Sequence, residues 1–144
     1  MTNEVFRRPT TDAEWAAYHA IRKRVLFDLR GEGGRYDATH ADEHRPEHHP
    51  FVLWEGGMPV GVIRIDVNGK LAVFRRVAIR DDLQRRGHGR RLLQAAERFA
   101  SEQGCTRVES HVDPDATGFY ECCGFTRVAP TAGGGAILMS KVLR

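Results

Sequence analysis

The chain has no apolar run near the roughly 18 residues that a membrane helix needs. Its first ten residues, MTNEVFRRPT, hold no apolar stretch of the kind a secretory signal carries. A cytoplasmic location is therefore expected, with no membrane partner. Cysteine is scarce. Cys105, Cys122 and Cys123 are three in number, two of them adjacent, and neither an odd count nor that spacing suits a disulfide framework. The CxxC of zinc ribbons and redox sites is absent, so all three read as reduced thiols. Charge of one sign is scarce too. A net charge of +3 is too small to argue for nucleic acid by itself. HExxH is missing as well, and with it the commonest helical zinc site.

What is present fits one soluble domain spanning 1–144. Apolar residues make up 41% and charged residues 28% of the 144, ordinary values for a globular protein of a size that buries a core without staples. EVFRRP reads as a first strand. Thr11 to Glu14 has the Ser/Thr-x-x-Glu form of a capping box, and a helix is expected from there to about Leu29, with Trp15, Tyr18, Val25 and Leu26 near one face. Residues 30–49 read as a long polar loop. Strands follow at 51–55, 60–67 and 71–79, the last two joined by the hairpin signal Asn68-Gly69. Leu92, Leu93, Ala96, Phe99 and Ala100 keep helical spacing, and Gly104 ends that helix. Then come a strand at 106–112, a short helix at 114–123, and a hairpin whose turn is Gly133–Gly135. The order is β-α-β-β-β-α-β-α-β-β. This is an α/β (α+β) fold with a mixed, mostly antiparallel central sheet flanked by helices.

The most informative stretch is QRRGHGRR, residues 84–91, between the third of the consecutive strands and the amphipathic helix. A loop that enters a helix offers unpaired N–H groups and the positive end of the helix dipole. Glycine lets that backbone come close to a ligand. Together these favour an anion such as phosphate, and Arg85, Arg86, Arg90 and Arg91 add charge. The dinucleotide pattern GxGxxG fails because Leu92 stands at the third glycine. The Walker pattern fails for want of Gly-Lys-Ser/Thr. The spacing Gln84-x-x-Gly87-x-Gly89 resembles instead the pyrophosphate loop of the GNAT superfamily of acetyl-CoA-dependent N-acetyltransferases. FYECCGF, Phe119 to Phe125, is similar to a second segment of that family, FYExxGF, at the right distance. The element order agrees, so the resemblance covers nearly the whole chain.

That resemblance implies acetyl transfer from acetyl-CoA to a primary amine. It places Gln84, Arg85, Arg86, Gly87, His88, Gly89 and Arg90 at the pyrophosphate, the backbone of Val77, Ala78 and Ile79 beside the pantetheine arm, and Phe119 in the same site. It makes Tyr120 the acid that protonates the departing thiolate, with a core tyrosine as the bland alternative. Relatives often carry a basic glutamate where this chain has Arg75, and arginine stays protonated. His111, at the end of a strand with Glu109 on its face, is the first substitute, against a merely structural histidine or a proton relay through water. His40, His44, His48 and His49 are weighed as metal ligands and read as a solvated loop, so no metal is expected. Asp28, Glu32, Asp37, Asp42, Glu43 and Glu47 form an acidic rim that could attract a cationic amine, or serve solubility alone. Trp54 fits either core or substrate wall. Two rivals stand beside the enzyme: a non-catalytic acyl-CoA sensor on the same fold, and a nucleic-acid-binding module built on the arginines, which the lack of a longer basic stripe disfavours. A homodimer through an exposed edge of the last hairpin is also compatible.

Overall fold

The computed structural model describes residues 3–130 and 135–144. Seven strands form one sheet: β1 (Glu4–Arg7), β2 (His48–Glu55), β3 (Met58–Asn68), β4 (Leu71–Ile79), β5 (Arg107–Val112), β6 (Thr126–Pro130) and β7 (Ile137–Val142). Their spatial order is β1-β2-β3-β4-β5-β7-β6. Every neighbouring pair is antiparallel except β4 with β5, which run parallel. The expected order and mixed sheet are thus observed. Of the expected turn at Gly133–Gly135, the first two residues lie outside the described ones.

The sheet is covered on both faces. PFVLW in β2 is buried without interruption, which an alternating pattern would not give. Successive side chains on a strand point to opposite faces. Phe51 and Leu53 enter a core with Leu92, Leu93, Ala96 and Ala100, while Val52 and Trp54 enter another with Tyr18 and Ile21. The first set belongs to α2 (His88–Glu102) and the second to α1 (Asp12–Leu26). Trp54 is therefore core, in contact with the α1 face. No helix among the described residues is long and apolar enough to cross a membrane.

α1 starts at the expected box, with a shifted partner. The Thr11 hydroxyl accepts from the Glu14 N–H at 3.1 Å. The Glu14 carboxylate, instead of returning to Thr11, takes the N–H and hydroxyl of Thr10 at 2.8 and 3.0 Å. That backbone bond first, and then Arg7, hold Glu14 down to about 2. Thr11→Ala is expected to cost about 1 kcal/mol in chemical denaturation, the usual loss for an N-cap.

α1 ends at Leu26, earlier than expected, and residues 27–47 are not plain loop. Three short 3-10 turns, Asp28–Arg30, Gly33–Arg35 and Ala41–His44, fold the segment back over α1. The anchor is buried. Arg22 lies on the inner face of α1, 6% exposed, and pairs with Glu43, 5% exposed, which also accepts from the Tyr18 hydroxyl at 3.1 Å. Glu43 is thus no part of a solvated rim. Removing one member of a buried pair strands the other, so Glu43→Gln is expected to cost about 1.5–3 kcal/mol in urea unfolding.

Candidate active site

The loop between β4 and α2 is shaped by left-handed backbone. Arg85 has φ +65°, a conformation rarely held by a side-chain-bearing residue, and Gly87, the N-cap of α2, has φ +85°. Alternating hands curl consecutive N–H groups toward one side. No side chain caps α2, so the N–H groups of its first turn remain for a ligand. Gly89 is needed for a different reason. A Cβ there would stand 2.9 Å from the Cζ of Phe119, whose ring lies over the loop.

The side chains of QRRGHGRR part company. The Gln84 amide donates to the Ile79 carbonyl at 3.1 Å and ties the loop to β4. His88 is buried, 3.3 Å from the Glu55 carboxylate, and bonds to Arg91. Only its backbone is left for a phosphate. Arg91 reaches Glu4 at 2.6 Å, and Arg90 donates to the Cys122 carbonyl at 3.3 Å. Arg85 and Arg86 alone are exposed and unpaired with any described residue. The four arginines therefore do not form one basic patch.

A cleft of about 1280 Å³ begins at Arg85, Gly87 and Gly89 and runs past Val77, Ala78 and Ile79 to Tyr120. Its origin is a parting of strands. The β4–β5 ladder spans only Leu71↔Arg107 to Phe74↔Ser110, although both strands continue. From Arg75 onward the β5-facing edge of β4 has no strand partner. A bulge in β4 assists: between the pairs Val62↔Ala78 and Arg64↔Arg75, one residue of β3, Ile63, opposes two of β4, Arg76 and Val77, and Arg76 takes φ +57°.

FYECCGF divides its work along α3 (Thr117–Cys122) and the turn after it. Phe119 covers Gly89, and Phe125 is buried in the α2-side core. Gly124, at φ +94°, closes the helix. Tyr120 packs edge-on to Phe119 and Phe125, with ring centroids 5.5 and 5.3 Å away. Burial pushes its phenol up to about 12, against a smaller opposing influence of the nearby Ser110 hydroxyl. It therefore carries its proton at any physiological pH.

His111 is exposed on β5 and lines the cleft, with no hydrogen-bond partner among the described residues. Glu109, on the same strand, pairs with Arg107 at 3.3 Å and lies outside the cleft. Arg75 donates to Asp66 at 3.0 Å, and buried Arg64 holds the same carboxylate with two bonds of 2.8 Å. His48 bonds the Asp42 carbonyl and approaches Asp66 at 3.4 Å. No three His, Cys, Asp or Glu side chains among the described residues are grouped to hold a metal ion.

The description of the matching family model is the acetyltransferase (GNAT) family, over residues 11–125. The chain belongs to this family. A Bacillus subtilis (strain 168) protein, named as a candidate acetyltransferase, is 28% identical over 125 residues, covering 83% of this chain and 81% of its own. The solved structure of a candidate N-acetyltransferase from Lactobacillus plantarum is 28% identical, with a TM-score of 0.81 and 99% of both chains covered. PaiA N-acetyltransferase from Thermoplasma acidophilum, solved in complex with coenzyme A, shares the fold at 13% identity and a TM-score of 0.75, over 97% of this chain and 99% of its own. Within this GNAT chain the bulge at Arg76 and the buried Arg22–Glu43 pair were missed by sequence reading. The second had a signal: Arg22 stands four residues from Tyr18, on the apolar stripe of α1.

Proposed function

We propose that this chain transfers acetyl from acetyl-CoA to a primary amine. One observation carries the reading: a single cleft joins the uncapped N-terminus of α2, the unpaired edge of β4 and the protonated Tyr120 phenol. Those features fit an extended donor with phosphate at one end and a thioester at the other. Acetyl-CoA would supply the activated acyl group and a thiolate that leaves.

The chain's own residues do the rest. N–H groups from Arg85 to Arg90 hold the pyrophosphate, aided by the helix dipole and the Arg85 charge. The β4 edge at Val77–Ile79 aligns the pantetheine arm, and backbone N–H there steadies charge that builds on the carbonyl oxygen. The neutral amine forms an N–C bond as the C–S bond breaks. Tyr120 gives its proton to the sulfur. His111 faces the cleft and takes the proton shed by the amine, directly or through water.

Calorimetric titration with acetyl-CoA, compared with 3′-dephospho-CoA and ATP, tests the donor. Thiol release in the presence of an amine panel tests the transfer. Micromolar binding with turnover is expected. Binding without turnover of any amine would favour an acyl-CoA sensor, a reading to which Arg75, standing where relatives carry a base, lends support.

A further inference from the structure

The acceptor end of the cleft is positive at its centre. Arg22 and Arg64 are buried there, at 6% and 7% exposure, with Arg75 and Arg76 beside them. Two carboxylates answer these four guanidiniums. Glu43 is taken by Arg22 and Tyr18, and Asp66 by Arg64 and Arg75. Arg76 pairs with no described carboxylate. Its guanidinium lies over the ring of Phe27, 5.7 Å from the ring centre, on the wall of the cleft. It is open to solvent, yet the cleft walls strip water from it, and the positive charges of Arg22, Arg64 and Arg75 add to that. Both effects lower its pKa from the ordinary arginine value. A second donor is left over beside it: the Nε of Arg22 is buried without a hydrogen-bond partner.

The other acids of the cleft, exposed Asp115 apart, have partners of their own. Arg30 holds Asp113 at 2.5 Å, Arg35 holds Glu32 at 3.2 Å, and Arg45 holds Asp42 at 3.2 Å. Asp37 is occupied by the N–H and hydroxyl of Thr39. Most rim acids are thus tied to partners of their own, and the guanidinium without a carboxylate is that of Arg76 at the β4 bulge, next to the thioester end of the proposed donor site. The Arg76 backbone takes a left-handed φ of +57°, a conformation that costs energy in a residue with a side chain and that the bulge imposes.

We propose that the acceptor is an amine bearing its own carboxylate, the chemistry of a free amino acid, and that Arg76 binds that carboxylate. The proposal rests on the acetyltransferase reading of the cleft. A guanidinium fork matches a carboxylate with two parallel hydrogen bonds. The bond to Arg76 would anchor the acceptor beside β4 while its nitrogen meets the acyl carbon. Neighbouring cations would strengthen the attraction, and each of them already holds a carboxylate: Arg22 holds Glu43, and Arg64 and Arg75 hold Asp66, whereas Arg76 holds none.

The test uses CoA-loaded protein titrated with N-acetylated amino acids and their matched carboxamides, which differ only at the anionic group. At least one N-acetyl amino acid is expected to bind about 10- to 100-fold tighter than its carboxamide. Arg76→Gln is expected to erase that margin, and Arg76→Lys to restore part of it. Unfolding midpoints of both variants show that they fold. Carboxamides that bind as well as acids, or acids that bind Arg76→Gln as tightly as the parent, overturn the proposal. So does the absence of binding by any acid to CoA-loaded protein. Failure of CoA itself to bind is a separate result, and sinks the donor reading instead.

Discussion

Gly89→Glu is expected to remove acetyl-CoA binding while leaving the protein folded. Two effects act together. The new Cβ would stand 2.9 Å from Phe119 Cζ, so the ring that covers the loop must move. The carboxylate then occupies the ground meant for the pyrophosphate. A like charge at about 4 Å costs about 4 kcal/mol at an effective dielectric near 20, which is about 1000-fold in affinity. Helix stability moves the other way, because an acidic residue in the first turn complements the dipole. The unfolding midpoint should therefore hold or rise as binding is lost. Gly89→Ala separates the two terms, since it keeps the crowding and omits the charge. Its loss is expected to be about tenfold or less, given that a partly exposed ring can give way. Titration of both variants with acetyl-CoA measures this. Equal, modest losses would place the phosphate elsewhere.

The architecture could be read from the chain because its signals are local. Asn68-Gly69 makes its hairpin, Thr11 caps its helix, and Leu92, Leu93, Ala96 and Ala100 form the buried stripe of α2. The segment 27–47 could not be read this way. Its turns are held by long-range partners, above all Arg22 with Glu43, and a polar segment looks the same whether its acids are solvated or buried. The same blindness made Glu43 one member of an acidic rim. Its environment is set by a helix some twenty residues upstream.

The candidate site divides similarly. Gly87, Gly89, Phe119 and Tyr120 stand together, as two motifs at a set distance imply, because α3 packs its ring onto the loop. His88 does not follow its neighbours. Its position in the first turn of α2 turns the imidazole inward toward Glu55, a direction that depends on where β2 ends. The bulge at Arg76 has no sequence mark either. FRRVAI reads as unbroken strand, and only the β3 register, with Val62 opposite Ala78 and Arg64 opposite Arg75, exposes the extra residue. The bulge that carries Arg76 was therefore invisible until the strands were paired.

Tyr120→Phe is expected to lower kcat by about 100-fold, the scale of general acid catalysis, with acetyl-CoA affinity unchanged. The ring lies in the core against Phe119 and Phe125, and phenylalanine preserves those contacts. Only the hydroxyl is lost, and with it the proton for the departing sulfur. Equal loss in kcat and in donor binding would mean a structural tyrosine. The pH profile gives a second check, and its sign follows from burial. The phenol is raised to about 12, so it remains protonated as pH climbs through 10. Its contribution to folding stability is likewise complete below the ordinary tyrosine pKa near 10 and is lost toward 12. Activity should therefore rise with pH as the acceptor amine loses its proton, then level, with no falling limb from this residue before pH 10. In Tyr120→Phe the rising limb should persist at the reduced rate. A falling limb near pH 8 or 9 in the parent that disappears in the variant would still mark Tyr120 as the acid but with a depressed pKa, against the effect of its burial, whereas an unchanged kcat in Tyr120→Phe would remove the role.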